Sequence, residues 1–202
     1  MLPFLFFACR DIDRRRKENL HYMPMLAMMG AAVFTIAVWH IPVPVTGSSS
    51  HPVGTPMAAI IIGPLPTVVI SVIALILHTF VAHGGILTLG ANTVSMGIVG
   101  TFSGFAVYKV LYKRYSIFMS VGLAGLTGSL LVYLTTAMEL ALSLNPENVL
   151  RAAGIYFLGF LPTQIPLGVL EFIFTGYMVR FVLQRRPDLF PELKVKVGGL
   201  HG

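Results

Sequence analysis

Four of the six histidines, His40, His51, His78 and His83, fall in or close to two loop-like stretches of an otherwise apolar chain. Neutral imidazole is a preferred ligand for cobalt, nickel, copper and zinc. Taken singly, each ring has a plainer use, because an interfacial histidine commonly anchors or hydrogen-bonds a loop, and short motifs carry a real false-positive risk. The stretch Ile41-Pro-Val-Pro-Val-Thr-Gly-Ser-Ser-Ser-His51-Pro-Val-Gly54 is too rich in proline, glycine and serine to be helical. Irregular backbone at membrane depth must be buried in protein or line a cavity, which makes His51 a candidate metal ligand. The second stretch, His83-Gly-Gly-Ile-Leu-Thr-Leu-Gly90-Ala-Asn92, offers His83 in the same role. Asn92 opens the span that follows, either as a helix N-cap, worth about 1 kcal/mol, or as a partner that orients a ligand histidine. The two uses are compatible. Glu171 lies inside the last apolar stretch, where an ionisable group usually faces the bundle interior. It is either functional or paired with Arg151 or a histidine. Motifs for other chemistries are missing from the sequence: there is no GxxxxGK phosphate loop, no HExxH and no GxSxG nucleophile elbow.

The elements that must position these residues belong in a bilayer. Of 202 residues, 55% are hydrophobic and 11% charged, against about 25% charged in soluble domains. Too few charges are present to coat so much apolar surface. A spanning helix needs about 20 residues, so the fold expected is all-α, a polytopic membrane bundle of about six segments. Residues 1–9 read as the end of a first helix whose beginning lies upstream. Met23–Trp39, 64–82, Thr93–Leu111, Ser116–Met138 and Ala152–Leu183 read as further spans, the last broken by Pro162 and Pro166. Residues 139–150 read as a polar loop.

The net charge of +6 comes from basic residues in three clusters, Arg10 to Lys17, Lys109 to Arg114 and Arg180 to Lys196, with Arg151 alone outside them. Clusters that flank apolar spans mark cytoplasmic loops, not a nucleic-acid surface. Were 55–82 one helix, the loops at Lys17 and Lys113 would fall on opposite sides. A turn at Gly63-Pro64-Leu65-Pro66 puts all three clusters in the cytoplasm and the loops at 41–54, 83–91 and 139–150 outside. It also leaves a short segment before Gly63 that must be shielded by other helices. Residues 1–184 then form one transmembrane domain in the cell membrane, and 185–202 a basic cytoplasmic tail. Cys9 is the single cysteine, so no intrachain disulfide is possible. Ala27 and Ala31 have the small-xxx-small spacing that lets helix backbones approach closely, inside the bundle or against a partner.

The His51 stretch, the run Ala59-Ile-Ile-Ile-Gly-Pro64, the segment from His83 to Gly100, and Gln164 to Glu171 with Thr175-Gly176 together resemble one family. It is the membrane substrate-binding subunit of cobalt and nickel energy-coupling-factor transporters (the CbiM/NikM family), and Ser-His-Pro is closer to the cobalt branch. The resemblance covers most of residues 1–184. It implies capture of Co2+ or Ni2+ outside the cell by nitrogen ligands, one of them the histidine matched by His51. The others come from a Met-His-Ile start, through its amino group, a backbone nitrogen and an imidazole. This chain begins Met1-Leu-Pro-Phe, so an upstream start is expected. His83 as a ligand and Asn92 beside it carry over less directly. The resemblance also implies a transmembrane coupling subunit, docked on the Ala27–Ala31 surface, two ATPase subunits and a small accessory membrane subunit. The metal is substrate, with no catalytic cofactor, and cobalamin biosynthesis is its destination.

Two other readings compete with this transporter subunit, which is not an enzyme. A self-contained channel or secondary carrier should show charged pore rings or internal repeats, and neither is visible. An intramembrane metal-dependent hydrolase needs a general base, and only Glu171 is on offer in the spans.

Overall fold

The computed structural model describes residues 2–43, 46–81 and 86–189. Eight α-helices follow in chain order: α1 Leu2–Glu18, α2 Tyr22–Ala37, α3 Thr55–Ile62, α4 Pro64–Val81, α5 Leu89–Asn92, α6 Thr101–Leu111, α7 Ile117–Leu144 and α8 Val149–Arg185. Two three-residue strands, β1 (Ile41–Val43) and β2 (Ser48–Ser50), form a hairpin between α2 and α3. Residues Thr93–Gly100, joining α5 to α6, are wound as a π-helix. Four continuous helical runs, Pro64–Val81, Ile86–Leu111, Ile117–Leu144 and Pro146–Arg185, are long and apolar enough to cross a membrane, and α2 is a shorter apolar helix. The chain is a multi-pass membrane helical bundle, as its composition requires.

The helices are turned inside out relative to a soluble protein. On α8 the buried residues include Ala152, Ala153, Gln164, Gly168, Glu171, Thr175 and Gly176. Its exposed residues include Ile155, Leu158, Ile165, Phe174 and Phe181. Lipid is as apolar as leucine, so helices associate through small and polar residues that allow close approach. The α7–α8 seam shows this directly. A Cβ at Gly125 would lie 2.7 Å from Thr175 Oγ1 and 3.0 Å from the Glu171 carbonyl, and one at Gly122 would meet the Phe172 ring at 2.8 Å.

The short segment before Gly63 is α3, and all eight of its residues are buried. Pro56 is gripped from two helices: a Cβ at Gly104 would come within 2.5 Å of it, and one at Gly128 within 2.6 Å. The Thr55 hydroxyl donates to the Met96 carbonyl at 2.9 Å. The α3–α4 turn is made by Gly63 at φ +95°. It sits beside the basic end of α1, where Arg15 Nη2 would be 3.1 Å from a Cβ at Gly63. Tyr22 Oη, at the start of α2, donates to the Ile62 carbonyl at 3.1 Å. The turn and the first basic cluster therefore share one end of the bundle, and the hairpin lies at the other.

Four local expectations change. The first basic cluster is helical through Glu18, where Asp11 pairs with Arg14 and Arg15, and Asp13 with Arg16 and Lys17, at three- and four-residue spacing. Glu139 belongs to α7, so the polar loop begins only at Asn145. The segment 41–54 contains the hairpin. Pro162 and Pro166 lie inside a continuous α8, tolerated because surrounding helices and hydroxyl side chains compensate for lost backbone bonds in a membrane bundle.

Candidate metal centre

The hairpin register builds the site. Ile41 pairs with Ser50, Pro42 with Ser49 and Val43 with Ser48, so His40 and His51 are the next residues out on the same ladder. Opposed residues of an antiparallel pair stand side by side, and the His40 and His51 ring centres are 5.1 Å apart. His78, near the end of α4, brings a third ring to 6.1 Å from that of His40.

Helices α7 and α8 pin the segment that carries His51. Tyr133 Oη accepts from the His51 amide at 2.7 Å and donates to the His51 carbonyl at 3.1 Å. The buried Ser50 hydroxyl bonds that of Thr163 at 2.7 Å. Glu171 Oε1 accepts from the Val53 amide, and from that of Gly54 at 3.1 Å. Gly54, at φ +68°, turns the chain into α3. Glu171 thus faces the interior as expected, but its partners are two backbone amides, not Arg151 or a histidine. The loop offered donors that needed a buried acceptor, whereas Arg151 is exposed.

Each of the three rings also contacts a backbone carbonyl: His51 Nδ1 to Pro52 at 3.0 Å, His40 Nδ1 to Val38 at 2.6 Å and His78 Nε2 to Phe34 at 3.0 Å. A carbonyl only accepts, so in a neutral ring the proton sits on the bonded nitrogen. This is how metal-binding histidines are commonly held. Burial pushes the His51 pKa down to about 4 against the pull of the Pro52 carbonyl, so the ring is neutral at pH 7. Among the described residues no three His, Cys, Asp or Glu side chains close together on one ion.

His83 lies outside the described residues. Asn92 makes no cap; it sits within continuous helix and its amide reaches Thr88 Oγ1 at 3.4 Å. Ala27 and Ala31 are exposed on α2, opposite the face formed by Tyr22, Met25, Met29 and Val33. Tyr133, Ser50 and Thr163 escaped the sequence reading. A tyrosine in the middle of an apolar span was the available signal, since a buried hydroxyl needs a partner.

Fold and site together define a multi-pass membrane protein that presents a clamped, imidazole-bearing loop at one end of its bundle. The profile of the family described as "Cobalt uptake substrate-specific transmembrane region", CbiM, matches residues 1–189. The chain is 41% identical over 198 residues to the cobalt transport protein CbiM of Sorangium cellulosum, covering 96% of this chain and 88% of that one. It is 40% identical over 201 residues to the CbiM of Geobacter sulfurreducens, covering 98% of this chain and 58% of that one. A crystal structure of a truncated transition metal transporter superimposes with a TM-score of 0.80 at 25% identity, over 92% of this chain and 90% of that one. A second transition metal transporter, 24% identical, shares the fold with a TM-score of 0.81 over 100% of this chain and 92% of that one. The chain belongs to the CbiM family of cobalt uptake membrane proteins, and it is a transporter component rather than an enzyme.

Proposed function

We propose that this chain is the substrate-capture subunit of an ATP-driven energy-coupling-factor importer, taking Co2+, or Ni2+, at the outer face. The observation that carries the reading is the His51 loop. Its imidazole is held neutral with one nitrogen committed to a carbonyl, on a segment anchored by Tyr133, Thr163 and Glu171. A single rigid imidazole is a start for a nitrogen-ligand site and holds an ion only with others. His83, and Asn92 as its orienting neighbour, remain candidates for the same site. The three basic clusters face the cytoplasm in this reading, with residues 185–202 as a tail. The exposed Ala27 and Ala31 dock the transmembrane coupling subunit, which links the chain to two ATPase subunits and a small accessory membrane subunit. The imported cobalt feeds cobalamin biosynthesis.

The test is cobalt uptake by cells that make this chain alone, or together with a transmembrane coupling subunit and ATPase subunits of an energy-coupling-factor importer. Uptake that needs those partners and is lost in His51→Ala supports the reading. Uptake by the chain alone means a channel or carrier and overturns it.

A further inference from the structure

We propose that a buried water site lies beneath residues 51–54, between Gln164 and the second oxygen of Glu171, and that this water holds Glu171 in place against the loop. Both residues are on the buried face of α8, seven positions apart. Gln164 is 0% exposed and Glu171 4%. Glu171 uses Oε1 to accept from the amides of Val53 and Gly54. Its Oε2 has no hydrogen-bond partner in the protein, and neither have Oε1 and Nε2 of Gln164. Three polar atoms on two side chains are therefore orphaned inside a membrane bundle, where leaving them dry is costly. Buried polar groups of this kind are normally satisfied by ordered water.

The neighbouring side chains are already engaged. Gln164 and Ser50 both lie beside Tyr133 Oη. That hydroxyl donates its one proton to the His51 carbonyl, so it has none for Gln164 Oε1. The Ser50 hydroxyl is bonded to that of Thr163. The orphaned set mixes a donor, Nε2, with two acceptors. Water both donates and accepts and so matches such a set, whereas a metal ion would use the oxygens and leave the N–H groups unpaired. A buried water makes about three hydrogen bonds, as many as there are orphaned atoms. It also needs room. Gly168, between the two residues on α8, carries no side chain, and a Cβ there would meet nothing nearer than Leu126 at 3.8 Å. A bridging water is nearly as good as a direct bond. Glu171 is then fixed through one oxygen by the loop and through the other by the water, with Gln164 as the positioning residue behind it.

The experiment is a crystal structure of the full chain at a resolution that shows ordered solvent, with hydrogen exchange and melting of the native protein and of Gln164→Leu. A solvent peak is expected within hydrogen-bond distance of both the Gln164 carboxamide and Glu171 Oε2. Gln164→Leu takes away one wall of that site and loosens Glu171. Exchange at the Val53 and Gly54 amides should speed up about threefold to tenfold, and the melting temperature should fall. A dry site gives the opposite sign, because replacing an orphaned amide by an apolar group of similar shape is neutral or stabilising. Absence of the peak overturns the site. So does a structure in which Gln164 and Glu171 bond each other directly, or one whose peak is held by oxygens alone at metal distances. A peak in the native protein with native exchange in a folded Gln164→Leu overturns the hold on Glu171. The solvent peak needs no variant, so a Gln164→Leu protein that fails to fold does not remove the test.

Discussion

Glu171 holds two backbone amides of the His51 loop, those of Val53 and Gly54, and its removal has a calculable consequence. In Glu171→Ala the amides of Val53 and Gly54 lose their buried acceptor. A buried donor left unsatisfied costs about 1–3 kcal/mol, so the two together cost on the order of 3 kcal/mol. That is about two decades in the population of the ordered loop, since about 1.4 kcal/mol is tenfold. The apparent dissociation constant for cobalt rises as the ordered fraction falls. With the Tyr133 and Thr163 anchors still in place, the expected weakening is about tenfold to a hundredfold. Glu171→Gln keeps an oxygen acceptor at the same position and is expected to stay within about threefold of native. The assay is equilibrium dialysis of cobalt(II) against the purified chain, with a melting curve to confirm that each variant is folded. Native affinity in a folded Glu171→Ala protein would show that the loop is ordered without α8, and the argument from the clamp would fail.

Further outcomes follow from the same contacts. Tyr133→Phe removes both bonds to the His51 backbone, and about 2 kcal/mol of local order should go with them. Hydrogen exchange at residues 50–54 should speed up while the helices keep their protection. Gly104→Ala drives a methyl to within 2.5 Å of Pro56 Cβ and 3.1 Å of the Ala124 carbonyl. With little room to give, it should destabilise the bundle by about 1–3 kcal/mol. Gly154→Ala meets nothing within 4 Å and should leave the melting temperature unchanged or raised. Ala27→Trp and Ala31→Trp alter an exposed face of α2; they should block co-purification with the coupling subunit while cobalt binding persists.

Much of the architecture was legible because a bilayer demands apolar spans and collects basic residues on one side. The turn at Gly63 followed from that charge bias, and the structure places it beside Arg15. The hairpin was less visible. Proline, glycine and serine announced an irregular segment, but the register that pairs Ile41 with Ser50 depends on tertiary packing against Thr163 and Tyr133. For the same reason the neighbourhood of His40 and His51, eleven positions apart by number, had no periodic signature. Pro162 and Pro166 misled, because in water a helix-interior proline costs about 3 kcal/mol, while in a bundle the alternative to helix is worse. The small-residue spacing at Ala27 stands out in the sequence, whereas the close approaches lie on α7, where a Cβ at Gly125 would be 3.0 Å from the Glu171 carbonyl and one at Gly128 3.1 Å from the Gly100 carbonyl. Glu171 was correctly singled out as an inward-facing group, but its partners are main-chain amides, which no residue pattern encodes.

The most direct test of the central claim is the amount of cobalt and nickel bound per purified chain, measured by metal analysis after equilibrium dialysis, for the native protein and for His51→Ala. Close to one ion per chain is expected in the native protein, cobalt or nickel, and none in His51→Ala at the same free concentration. Equal binding by both proteins, or no binding of either metal by the native one, would contradict the assignment of His51 and leave the membrane fold and the family standing without this site.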